Sequence, residues 1–105
     1  MTKPEQDFLI EIKQTTVELC RQYKVKRLDL FGSTARGEST AESDLDFLVW
    51  FIDPHEAGIS RRFFGLLHAL EDSFQRPIDL LTEKALQNPY LRATIDQNRV
   101  CIYGH

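Results

Sequence analysis

LDLFGSTARGESTAESDLDFLV, residues 28–49, decides the reading of this chain. It opens on an alternating pattern, Leu28 and Leu30 against Asp29, which marks a strand. A glycine-bounded turn follows, Gly32 to Gly37, and then a run that is apolar on both faces after its opening residues. Continuous apolarity of that kind predicts a central strand covered on both sides. Two carboxylates, Asp44 and Asp46, stand at the head of that run. An ionised carboxylate beside a core costs several kcal/mol unless it is paired or bound to a cation. The pair therefore needs a reason.

In a strand, residues i and i+2 share a face, so Asp44 and Asp46 are expected side by side, with Leu45 and Phe47 turned the other way. Like charges that close raise each other's pKa; a divalent cation reverses this by favouring both ionised forms. Oxygen-only ligands favour Mg²⁺ or Mn²⁺ over zinc. A third carboxylate, Asp79, sits between Ile78 and Leu80 in PIDLLT, residues 77–82. If that strand neighbours the previous one, three carboxylates converge, a set suited to two-metal displacement at phosphorus. Alone, an Asp-x-Asp at a strand mouth is an ordinary edge or turn feature, and the same holds for Asp79. Their joint occurrence after the turn favours a site. Asp29 is read as part of an exposed strand face.

The turn itself adds to this. Gly32 lets backbone approach a ligand closely, and successive N–H groups there can form an anion nest. Ser33 offers a hydroxyl, Arg36 lies within reach of a phosphate, and a helix starting after the turn would add its dipole. No lysine followed by Ser or Thr comes after the second glycine, so this is not a Walker A loop.

Away from this stretch, apolar residues at Phe8, Leu9, Ile12, Thr16, Leu19, Cys20 and Tyr23 predict a helix over about Pro4 to Tyr23, with Thr2 as a candidate cap. VKRLDLF is the first strand. Ile59 to Phe74 is a second helix, and PIDLLT a third strand. Residues 83–98 form one or two helical turns and a helix, interrupted at Asn88-Pro89-Tyr90. VCIYG, residues 100–104, is a short strand or a packed tail. This order predicts an α/β (α+β) domain with a small mixed sheet flanked by helices. The 105 residues suit one domain, residues 1–105, able to bury roughly 60–70% of its unfolded surface.

Apolar residues make up 42% and charged residues 28%, with a net charge of −3. The acidic balance argues against a broad nucleic-acid surface. The basic clusters YKVKRLDL and ISRRFF are read as solvated surface. RRFFGLL has the pattern of a packed helix, with a partner-facing role as the alternative. MTKPEQDF has no apolar h-region and no stretch approaches ~20 apolar residues, so neither signal peptide nor membrane span is expected. Cys20 and Cys101 read as free thiols in a reducing cytoplasm, each more a small buried hydrophobe than a ligand. His55, His68 and His105 have no metal-ligand spacing; Trp50 is first of all core.

Gly32-Ser33, ten residues, then Asp44-Leu45-Asp46 resembles the signature of the polymerase-beta-type nucleotidyltransferases, and most closely their minimal (MNT) members. The likeness extends to PIDLLT and to LRATIDQNRVCIYG, residues 91–104, in order and spacing. The resemblance implies the nucleotidyltransferase fold. It implies that Asp44 and Asp46 bind two Mg²⁺ holding the triphosphate of ATP, with Mn²⁺ as a substitute. Asp79 would complete the catalytic metal site and help deprotonate the acceptor hydroxyl. Gly32 and Ser33 would hold the phosphates that leave as pyrophosphate. Ser43 would cap or orient the Asp pair, and Arg36 is a phosphate neutraliser or a surface residue.

A chain this small has little spare surface for an acceptor, which points to an acceptor that brings its own, another protein. MNT proteins of this size resemble the antitoxins of HEPN/MNT pairs, which transfer AMP from ATP to a tyrosine of a HEPN ribonuclease toxin. Alternatives are a binding-only antitoxin, a small-molecule enzyme of the aminoglycoside-modifying kind, and a structural domain with a vestigial site.

Overall fold

The computed structural model describes residues 3–35, 37 and 43–104. Thr2, the candidate helix cap, and Arg36 lie outside the described residues.

Helix α1, Lys3–Gln22, buries Ile12, Thr16 and Cys20, which recur every four residues on one face. The buried Thr16 hydroxyl donates to the Ile12 carbonyl at 2.8 Å, so no polar group is stranded there. Lys24 takes a positive φ of 55° and turns the chain into β1, Val25–Phe31. One helical turn, α2 (Gly32–Ala35), follows where the sequence reads as a glycine-bounded turn. Strand β2, Leu45–Phe51, then returns antiparallel to β1.

Helix α3, Ile59–Phe74, crosses over to β3, Ile78–Thr82, which runs parallel to β2. A 3₁₀ segment, Glu83–Gln87, and helix α4, Pro89–Asp96, lead to β4, Val100–Gly104. The sequence interruption at residues 88–90 is a helix start: the Asn88 side chain accepts from Tyr90 N and Leu91 N, and Pro89 fills the first turn. Strand order is β3-β2-β1-β4, with β4 antiparallel to β1. The mixed α/β architecture with a four-stranded sheet is the one the sequence predicts, and β2 is its central apolar strand.

Period-two alternation divides the sheet. Leu28, Leu30, Leu45, Phe47, Val49 and Leu80 face α1 and α3, where Ile12, Cys20, Leu66 and Leu70 close the larger core. Phe31 and Leu48 face the other way onto Ile95 of α4, with Trp50 and Leu81 beside them.

Charged residues read as solvated surface are structural. Arg62, on α3, bridges two chain turns: Nη2 donates to the carbonyls of Ile52 and Asp53 at 2.8 and 2.9 Å, and Nη1 to Lys24 O at 3.3 Å. Its guanidinium also lies over the Phe51 ring at 5.1 Å. Asp29 is not on an exposed face: it is 0% exposed, on the side of the sheet that Ile95 of α4 packs against, with β4 as the neighbouring strand. Arg27 Nε donates to it at 2.8 Å and Arg99 Nε approaches at 3.3 Å. That hydrogen bond is the main cause holding the Arg27 pKa up. Both guanidiniums stack on Trp50, at 5.1 and 5.8 Å from its ring centre. A carboxylate two residues from an arginine on one strand face was a legible pair; its burial depended on Arg99 and α4, far away in sequence.

Cys20 is buried as expected, and Cys101 is half-buried. Burial pushes the Cys20 thiol up from 9.0 to about 12. A folded-state pKa above the unfolded one gives stability that is complete below pH 9 and is lost as pH rises towards 12. Urea unfolding on either side of pH 9 should therefore show the parent losing stability relative to Cys20→Ala at the higher pH. Parallel pH profiles for the two proteins would overturn this.

Candidate active site

Three strand ends meet at one rim of the sheet. Phe31, the last residue of β1, is opposite Asp46 on β2, and Asp46 is level with Asp79 on β3. The parallel register places the Asp46 and Asp79 side chains on the same face, on strands about 4.8 Å apart. Asp46 is half-buried and Asp79 exposed. Asp44 is exposed and precedes β2 by one residue rather than lying in it.

Gly32 follows Phe31 directly. It has φ +79°, and a Cβ built on it would collide with Asp46 Oδ2 and sit 3.1 Å from Asp46 Cγ. Only glycine lets the turn approach the carboxylate so closely. Ser33 is half-buried beside it. Gly37 N donates to Thr34 O at 3.1 Å and closes the helical turn. A single turn carries little macrodipole, so an anion cradle here rests on the Gly32–Ser33 backbone and the Ser33 hydroxyl.

The approach to the carboxylates is braced from the link between α3 and β3. Arg76 Nε donates to Ser43 O at 2.8 Å, and Leu45 N donates to Pro77 O at 3.0 Å. Arg76 also lies over the Phe8 ring at 5.4 Å, tying this brace to α1. Ser43 thus meets the site through its carbonyl, and Arg76 orients the residue before Asp44. Sequence reasoning missed Arg76 because FQRPID gives no periodicity or motif around it.

The structure therefore brings Gly32, Asp46 and Asp79 together, with Ser33 and Asp44 at the same rim. Among the described residues, no three His, Cys, Asp or Glu side chains are gathered at ligating separation. Two carboxylates side by side, both oxygen donors, with a close glycine approach, fit a hard cation such as Mg²⁺. A cleft of about 300 Å³ opens elsewhere, between the end of β2, the start of α3 and the end of β3. Asp46 and Asp79 do not line it; Phe51 lies five residues beyond Asp46, roughly 16 Å along the strand.

Residues 12–102 match the family model described as the Nucleotidyltransferase domain. The chain belongs to that family. As a nucleotidyltransferase it has a relative in Methanocaldococcus jannaschii that carries the name of a candidate protein adenylyltransferase. The two are 38% identical over 81 residues, 77% of this chain and 80% of the relative. A solved structure of a candidate minimal nucleotidyltransferase superposes with a TM-score of 0.70 at 30% identity, covering 90% of this chain and 92% of that one. The nucleotidyltransferase fold also recurs in a complex of a tri-AMPylated Shewanella oneidensis HEPN toxin with an MNT antitoxin. There the TM-score is 0.64 at 17% identity, over 92% of this chain and 73% of that one. Among the described residues, no helix is long and apolar enough to cross a membrane.

Proposed function

We propose that this nucleotidyltransferase is a cytoplasmic antitoxin that transfers AMP from ATP to a tyrosine hydroxyl of a cognate HEPN toxin. The observation that carries the chemistry is the register of Asp46 with Asp79 beside Gly32. The protein acceptor draws support from the relative's name.

In this reading the Gly32–Ser33 turn holds the β- and γ-phosphates. Asp46 and Asp79, level on neighbouring strands, would hold Mg²⁺, with Asp44 at the same rim as the further carboxylate; the cation would supply charge neutralisation for the triphosphate and the departing pyrophosphate. Asp79, the most exposed strand position of the set, accepts the proton of the tyrosine hydroxyl. The tyrosine oxygen forms the new bond to the α-phosphorus, and the α-phosphorus bond to the bridging oxygen breaks, releasing pyrophosphate. Arg76 keeps Ser43, and with it the Asp44–Asp46 segment, in place during the exchange. Arg36 remains the proposed phosphate neutraliser at the turn.

The purified chain with its HEPN partner, ATP and Mg²⁺ should add one or more AMP masses to the toxin. An unchanged toxin mass would overturn the proposal. Asp44→Ala separates transfer from steric blocking: neutralisation lost with the carboxylate supports catalysis, while full neutralisation by the variant supports a binding-only antitoxin.

A further inference from the structure

The order of the sheet says from which side an acceptor enters. Gly32, Asp46 and Asp79 lie in a row across the ends of β1, β2 and β3. A phosphate held at the β1 end leaves the β3 end for the acceptor. β3 is an edge strand, with β2 as its neighbour and no strand on its other side among the described residues. The Leu45 N–H on Pro77 O sets the phase of the ladder. Main-chain groups alternate in direction along a strand, so those of Asp79 and Leu81 point to β2. Those of Ile78 and Leu80, and the Thr82 N–H, point outward, able to pair with an added strand, while the Thr82 carbonyl starts the 3₁₀ segment.

The cleft beyond the carboxylates adjoins this edge. Thr82 lines it together with Phe51, Ile59, Phe63 and Phe64. Phe64 is 55% exposed at its mouth, an unusual state for a large aromatic. Phe63 holds Phe64 edge-on, with ring centres 5.3 Å apart. Asp79 faces α4, whereas Thr82, three residues on, faces α3 and the cleft. The distance between them along the strand is roughly 10 Å.

We propose that the acceptor protein binds as an extended segment added to the free edge of β3, with an apolar anchor seated in this cleft. The proposal rests on the reading that the acceptor is a protein. In an added strand, the residue level with Asp79 turns its side chain to the Asp79 face, and a residue three positions away turns to the opposite face. The segment therefore carries its hydroxyl residue and a large apolar residue three positions apart. Main-chain hydrogen bonds supply affinity, and the cleft supplies selection.

The test is hydrogen exchange of the full chain with and without its HEPN toxin, run beside AMP transfer. Slowed exchange at Ile78, Leu80 and Thr82 on complex formation is the expected result. Thr82→Pro removes an outward N–H at the last position of β3, where the φ of −95° must shift by about 30° to suit the ring, and Phe64→Asp fills the cleft mouth with charge. Each should lower transfer at low toxin concentration by roughly tenfold, the scale of a lost interfacial contact. Thermal unfolding of each variant reports whether it still folds. Transfer without edge protection, or undiminished transfer by both folded variants, overturns edge binding and leaves the antitoxin reading standing. Edge protection without transfer supports edge binding and overturns the adenylylation reading. Neither protection nor transfer overturns both.

Discussion

Asp46→Asn should lower AMP transfer by on the order of 10²–10⁴-fold, the consequence of removing several kcal/mol of charge stabilisation in the transition state. The substitution keeps the side chain's shape but removes its charge and turns one acceptor oxygen into a donor NH₂, so the melting temperature should change little while turnover collapses. Asp46 is the centre of the rim: it is level with Phe31 on one side and Asp79 on the other, and Gly32 rests against its carboxylate. Gly32→Ala approaches the same residue from the turn. The added methyl would drive into Asp46 Oδ2, and an alanine at φ +79° adds about 1–2 kcal/mol of backbone strain. This variant should lose both turnover and stability. Steady-state transfer with thermal unfolding of both proteins is the check, and an Asp46→Asn enzyme within a few-fold of the parent would sink the site.

The second large effect is on folding. Asp29→Ala leaves Arg27 and Arg99 without the carboxylate that joins them. Breaking a buried pair costs about 3–5 kcal/mol. Both guanidiniums keep some access to water, so about 2–3 kcal/mol is expected here, or roughly 10–20 °C in melting temperature. Replacing all three charges together, Asp29→Leu with Arg27→Met and Arg99→Met, should recover much of the loss. An Asp29→Ala protein that melts with the parent would show that the ion cluster contributes nothing net.

The helices and strands were legible because their periods are strong: Ile12, Thr16 and Cys20 on one, Phe47 and Val49 on another. The Gly32-Ser33 and Asp44-Leu45-Asp46 spacing was legible as a motif, and Asp79 as an acid flanked by strand residues. What stayed hidden depends on contacts between distant segments. Asp29 looked exposed because nothing local marks the approach of Arg99, seventy residues on. Arg62 looked like a surface charge and Arg76 went unread because the carbonyls they bind belong to other segments of the chain. The GSTA segment read as a turn rather than a helix because one turn of helix has no period to detect. Asp44 falls just ahead of β2, since a strand's first hydrogen bond is set by its neighbour, here Pro77, rather than by its own sequence.

The parallel register of β2 and β3 has one more consequence. A strand shifted by a single residue presents its other side everywhere. Were the link from Phe74 to Ile78 shortened by one amino acid, Ile78 or Leu80 would face the rim and Asp79 would be buried against Leu70 and its neighbours. The penalty for that burial locks the alignment, so the same apolar residues that hold the chain together also keep its chemistry in step.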